Sequence, residues 1–175
     1  SDHHIADSAA FRAAALAAAA LAREDYLVSF GIAADRPETG YGYLQRGEPL
    51  PGGFAIRRFV EKPDLARAQE YLASGEYSWN GGIFAFRAGH LLAELAAHRP
   101  EMARLVAEAV AGGREDGICF HPAAAPFAAI AGDSIDYAVM ENTARAAMVP
   151  ADMGWSDIGN WAALSDALAG EADAN

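Results

Sequence analysis

Phe59-Val60-Glu61-Lys62-Pro63-Asp64 is the stretch on which the fold turns. An apolar run from Phe54 to Val60 reads as a strand and leads straight into an adjacent acid and base. Pro63 stops the strand, and Asp64 is suited to cap a helix from Leu65. Glu61 and Lys62 therefore fall at a strand end, on the rim of a sheet. In open α/β sheets the rim beyond the strand carboxyl ends is where ligands bind. A carboxylate accepts hydrogen bonds from hydroxyls, and an ammonium holds a phosphate. Taken alone, the pair is more commonly a solvated strand end with two surface charges.

Downstream, a helix from Leu65 to about Ala73 is expected to bury Leu65, Ala68 and Leu72 and to end at Gly75. Ser78-Trp79-Asn80-Gly81-Gly82 leads into a strand over Ile83 to Phe86. Two helices follow, from Gly89 to His98 and from Pro100 onwards, the second with Met102, Leu105, Val106, Ala109 and Val110 at helical spacing. Gly112 to Asp116 reads as a loop, with a short helix near Pro126 to Ala131. Ser134 caps a helix to about Thr143, and Ala144 to Pro150 is a strand. Trp155 to Gly159 is a strand end or turn, and Asn160 opens a last helix carrying Trp161, Leu164 and Leu168.

Upstream, Gly47 to Gly53 reads as a hairpin-like connection and Tyr41 to Leu44 as a strand. Gly40 and Gly42 in Pro37 to Tyr43 would let the backbone approach a ligand. Tyr26 to Ile32 is a buried strand. The helix from Ser8 to about Arg23 places Phe11, Ala14, Ala15, Ala18 and Leu21 on one stripe, with Asp7 as its cap. Helix then strand, after the stub Asp2 to Ile5, suggests a βαβ unit whose first strand is cut off. The expectation is a single domain over residues 1–175 of α/β class, a mixed, mainly parallel Rossmann-like sheet flanked by helices.

A chain of 175 residues, 53% of them hydrophobic, can bury a real core. Its net charge of −11 argues against a nucleic-acid partner. Phosphorylated substrates stay open, because a divalent cation can supply positive charge locally. The single cysteine, Cys119, excludes a disulfide within the chain and fits a reducing, cytoplasmic compartment. No signal peptide is visible at Ser1-Asp2-His3-His4, and Ala13 to Ala22 is too short to span a bilayer, so no membrane partner is expected. Cys119 reads as a small buried hydrophobe.

Polar groups gather at strand edges in three places: Asp2, Glu61-Lys62 with Asn80, and Asp157. Two aspartates far apart in sequence, both on the carboxyl rim of a parallel sheet, can share a Mg²⁺ ion. A frayed terminus for Asp2 and a turn or helix cap for Asp157 are the plainer alternatives. His3 and His4, as strand neighbours, point to opposite faces. Ser134-Ile135-Asp136-Tyr137 reads chiefly as a capped helix start, and Glu141 as a solvated charge, with orienting the site as its alternative role.

PETGYGYL (37–44), FVEKPD (59–64), WNGGIFAFR (79–87), SIDYAVMENT (134–143) and GWSDIGNWAAL (154–164) occur in one chain, in this order. Together they resemble the mannose-1-phosphate guanylyltransferases of the sugar-nucleotide nucleotidyltransferase superfamily. FVEKP is shared widely there, whereas SIDYAVME with GWSDIGNW is much more specific to the mannose-1-phosphate branch. The resemblance implies nucleotidyl transfer from GTP to mannose 1-phosphate, giving GDP-mannose and pyrophosphate, with Mg²⁺ or Mn²⁺. It implies that Glu61 holds sugar hydroxyls, Lys62 faces the sugar phosphate, Asn80 reads the sugar and the Gly40 backbone lies against it. Asp2 and Asp157 would be the metal pair and, with Lys62, the catalytic set. Gly81 stands where many relatives have serine.

The family's opening glycine-rich loop, of the type GGxGTRLxPLS, has no counterpart in this chain, and neither does a C-terminal isomerase-type or β-helical extension. The expectation is therefore the sugar-phosphate and metal-binding portion of a longer enzyme, inactive alone, and either homo-oligomeric or in need of an N-terminal half. Two alternatives stay open: a nucleotidyltransferase for another sugar 1-phosphate, and a non-catalytic sugar-phosphate-binding or oligomerising module. A glycoside hydrolase fits poorly, because Lys62 adjoins Glu61 and no second acid is marked out as its partner.

Overall fold

A computed structural model describes residues 3–159 together with Trp161, Leu164 and Ser165. In chain order the elements begin with β1 (His3–Ile5), α1 (Ser8–Arg23), β2 (Leu27–Ala33), β3 (Tyr43–Leu50), β4 (Gly53–Val60) and α2 (Leu65–Ser74). They continue with β5 (Tyr77–Ala85), α3 (Ala88–His98), α4 (Pro100–Ala111), β6 (Arg114–Asp116), β7 (Cys119–His121) and α5 (Ala124–Ala128). A π-helix (Asp136–Met140), β8 (Ala146–Pro150) and β9 (Trp155–Asp157) follow.

The mixed α/β class is as expected, but the strands close into a ring, in the order β2-β5-β3-β4-β8. The expectation of a mainly parallel, Rossmann-like sheet is corrected in its pairing. Among the described residues only β2 and β8 run parallel, and the other ladders are antiparallel. The reason is local. β3 and β4 are joined by the two residues Pro51 and Gly52, with Gly52 at φ 80°, and so short a connection can join only antiparallel strands. Gly47 to Leu50, expected as part of a connection, continues β3 through a register shift that accommodates Pro49. Ser78 to Gly82, expected as a lead-in, is already strand, since β5 starts at Tyr77, so Asn80 lies within β5.

Two apolar clusters hold the barrel. On one side Ala14, Ala18, Leu21 and Ala22 of α1 pack against Val28, Phe30, Ala147 and Val149. On the other, Leu27, Leu44, Phe59 and Met148 meet Ala138, Val139 and Met140 of the π-helix. α1 starts where expected: Asp7 Oδ1 accepts from the amides of Ala9 and Ala10 at 2.8 and 2.9 Å. α2 is capped by Asp64 and ends at Gly75 in the left-handed region, but it buries Ala68 and Tyr71 and leaves Leu65 exposed. Gly112 to Asp116, expected as a loop, enters the β6–β7 hairpin, and Cys119 on that hairpin is exposed rather than buried. The helix expected from Ser134 to Thr143 is the π-helix. The last expected helix falls mostly outside the described residues.

Candidate functional site

The end of β4, the middle of β5, the loop before β3, β9 and the start of the π-helix converge on one cleft of about 430 Å³. Its walls bring together Gly40, Glu61, Lys62, Asn80 and Asp157 from four separate stretches of sequence, along with Tyr41, Gly42 and Asp136. Asp2, the remaining expected site residue, lies outside the described residues. A second cavity, of about 400 Å³, lies against β2 and β8 and gathers none of the expected set.

Glu61 leaves β4 with its backbone amide donating to Glu141 Oε1 at 2.9 Å. Its side chain is only 9% exposed and its Oε1 lies 3.4 Å from Lys62 Nζ. Oε2 is buried with no hydrogen-bond partner. Burial, then the charge of Asp136, holds this carboxyl above the usual glutamate range, and Lys62 offsets part of that. Lys62 sits at φ 46°, a left-handed conformation uncommon for a residue with a Cβ. The chain is fixed on both sides of it, by the Glu61–Glu141 bond and by buried Pro63, and local strain of this kind collects at functional sites.

Asn80 is buried and almost fully committed to the protein. Its Oδ1 accepts from Ser29 Oγ at 2.7 Å and from the Gly82 amide at 3.2 Å, and its Nδ2 donates to Asp136 Oδ1 at 2.9 Å. One Nδ2 hydrogen remains for a ligand. Gly40 lines the cleft, but its amide donates to Glu38 Oε1 at 3.0 Å. The glycine that the packing requires is Gly42, whose backbone runs against Glu61 and Asn80.

β1 and β9 form an antiparallel two-stranded ribbon in which His3 faces Asp157, in place of the parallel rim expected for the aspartate pair. Tyr41 lies edge-on to both Trp79 and Trp155, with ring centroids 5.4 and 5.5 Å away. Burial and the nearby carboxylates of Asp157 and Glu38 push its phenol up, with Arg36 opposing. Among the described residues no three His, Cys, Asp or Glu side chains cluster in a way that could hold a metal ion.

The sequence reads Asp136 as part of a capped helix start, sets an orienting role for Glu141 beside solvation, and leaves Ser29 unmarked. Asp136 sits where a serine-capped helix is the simplest pattern. Glu141 reads as surface until the fold turns it onto the Glu61 amide.

A strand-end acid and base, a buried amide and an aspartate on a separate ribbon thus share one cleft, and comparison with known proteins gives the chain its family. The family model described as nucleotidyl transferase matches residues 1–174, and the chain belongs to that family. Within it, the chain is similar to the xanthan biosynthesis protein XanB of Xanthomonas campestris pv. campestris (strain B100). That match is 52% identical over 166 residues, covering 95% of this chain and 35% of the relative. The mannose-1-phosphate guanylyltransferase of Escherichia coli K12 is 47% identical over 179 residues, covering 99% of this chain and 37% of the relative. Among solved structures, a Thermus thermophilus protein named mannose-1-phosphate geranyltransferase superposes with a TM-score of 0.83 at 34% identity, covering 95% of this chain and 47% of that one. A Helicobacter pylori mannose-6-phosphate isomerase gives 0.82 at 32%, covering 90% and 61%. The chain thus spans little more than a third of the curated relatives it matches. Among the described residues no helix is long and apolar enough to cross a membrane.

Proposed function

We propose that this chain forms the sugar-phosphate and metal-binding part of an enzyme that transfers the nucleotidyl group of GTP to mannose 1-phosphate, giving GDP-mannose and pyrophosphate. The observation that carries the reading is the single cleft in which Glu61, Lys62, Asn80 and Asp157 meet. The guanylyltransferase relatives supply the sugar and the base.

In this reaction a phosphate oxygen of mannose 1-phosphate attacks the α-phosphorus of GTP in line. The bond from that phosphorus to the oxygen bridging to the β-phosphorus breaks, and pyrophosphate leaves with the electron pair. No protein nucleophile is required, so the protein contributes position and charge. Lys62 holds the attacking phosphate. Glu61 accepts hydrogen bonds from sugar hydroxyls, and Asn80 adds its remaining N–H. Asp157, a hard oxygen donor at the open side of the cleft, would hold Mg²⁺ or Mn²⁺ together with Asp2, and the cation would supply charge neutralisation at the phosphates. The single, exposed Cys119 fits a reducing, cytoplasmic setting.

The test is pyrophosphate release by the protein that contains this chain, given GTP, Mg²⁺ and a panel of sugar 1-phosphates. Turnover with mannose 1-phosphate at about 1 per second or faster is expected. Preference for another sugar would reassign the substrate, and binding of sugar phosphates without transfer would favour the non-catalytic module.

A further inference from the structure

Asp136 opens the π-helix and lines the same cleft as Glu61. Its position is fixed twice over. From the barrel, Ser29 holds Asn80, and Asn80 Nδ2 donates to Asp136 Oδ1 at 2.9 Å. From the far side, the Glu141 amide donates to the Asp136 carbonyl at 2.9 Å, while Glu141 Oε1 accepts from the Glu61 amide at 2.9 Å. One short helix therefore carries Asp136 and is followed at once by the acceptor that anchors Glu61. π-Helical turns of this kind are frequent at functional sites.

We propose that Asp136 is a second sugar-binding carboxylate, paired with Glu61 to receive two neighbouring hydroxyls of the sugar ring; this rests on the reading of the cleft given above. Glu61 lines the cleft, and its Oε2 is buried with no hydrogen-bond partner. Asp136 spends Oδ1 on Asn80, which leaves Oδ2 for a ligand. After burial, the charge of Asp136 is the largest cause of the raised proton affinity of Glu61, which places the two carboxylates within each other's field. Two ionised carboxylates are acceptors only, and their natural partner is a pair of donors on adjacent carbons. A phosphate would be repelled there. Lys62 then marks the phosphate end of the sugar, and Asp136 with Glu61 the hydroxyl face.

The test uses the protein that contains this chain, GTP, and mannose 1-phosphate alongside its 2-deoxy, 3-deoxy, 4-deoxy and 6-deoxy forms. The wild type should lose about tenfold or more in kcat/KM on deoxy forms at two neighbouring positions. Asp136→Asn should raise KM for mannose 1-phosphate about tenfold, leave KM for GTP in place, and cause no further loss on one of those two deoxy forms. Equal losses on every analogue, or an equal rise in KM for GTP, would overturn the proposal. Should Asp136→Asn not fold, the wild-type series decides, and an absence of any neighbouring pair of sensitive positions counts against it. A wild type that never transfers to mannose 1-phosphate removes the reading of the cleft itself. A wild type that does so and is matched by Asp136→Asn removes only this inference.

Discussion

Gly42 and Glu61 touch so closely that a Cβ on Gly42 would lie 2.6 Å from Glu61 Oε2. The same Cβ would meet the Asn80 Cβ at 3.1 Å, so the Glu61 carboxylate is the group that must move. Gly42→Ala should push the Glu61 carboxylate out of its place and cost about 1–3 kcal/mol of stability. KM for mannose 1-phosphate should rise with it, while KM for GTP stays. Denaturant unfolding and steady-state kinetics on the protein that carries this chain check both; an alanine variant with unchanged sugar kinetics would disprove the contact.

Lys62 invites two substitutions that separate its backbone from its charge. Alanine and glycine both remove the ammonium, but only glycine adopts φ 46° without a steric cost of about 1 kcal/mol. Both should raise KM for the sugar phosphate far more than KM for GTP. Lys62→Gly should also be at least as stable as Lys62→Ala, despite the greater freedom of glycine in the unfolded chain. A glycine variant clearly less stable than the alanine variant would contradict the strained geometry.

Glu61 predicts a pH effect on stability. Its folded carboxyl titrates above its ordinary value of 4.5, so between 4.5 and the raised folded value the native state binds more protons than the unfolded one. This contribution to stability is fully present below 4.5 and is lost as pH rises through the folded pKa. Glu61→Gln should therefore raise the melting temperature at pH 7, with the advantage shrinking as pH approaches 4.5. It should also weaken sugar use. Parallel wild-type and Gln curves across that range would refute the raised pKa.

Asp157→Asn keeps the size of the side chain and removes its charge. Turnover should fall by about a hundredfold or more, and higher Mg²⁺ should recover part of it. Circular dichroism should remain that of the wild type. Unchanged activity with normal Mg²⁺ dependence would take Asp157 out of the metal site.

What the sequence disclosed follows the range of the interactions involved. Glu61 and Lys62 were legible because an apolar run and a proline bracket them within a few residues. α1 was legible from its cap and stripe. Asn80 was marked by resemblance, yet its strand was hidden because Gly81 and Gly82 read as a break. Inside the barrel, Gly81 instead meets the close approach of the β2 backbone, where an added Cβ would sit 3.1 Å from the Phe30 carbonyl oxygen. Asp136 was out of reach, since its meaning lies in a bond to Asn80 across 56 positions of sequence. Strand direction was misjudged for a related reason: the alternation of helices and strands suggested crossovers, whereas β5 returns between β2 and β3 antiparallel to both.

The parallel pairing of β2 with β8 joins Leu27 to Ala146. On a ribosome, β2 through β5 can begin to pair early, but the ring stays open until Pro150 has emerged from the exit tunnel. Contacts this distant in sequence slow folding, because a long stretch of chain must be closed before they reward it. The cleft matures later still, since Asp157 follows β8 and pairs back to His3, far upstream in the chain. Ribosome stalling between Val60 and Ala146 would therefore leave an open-edged intermediate of the kind that chaperones hold.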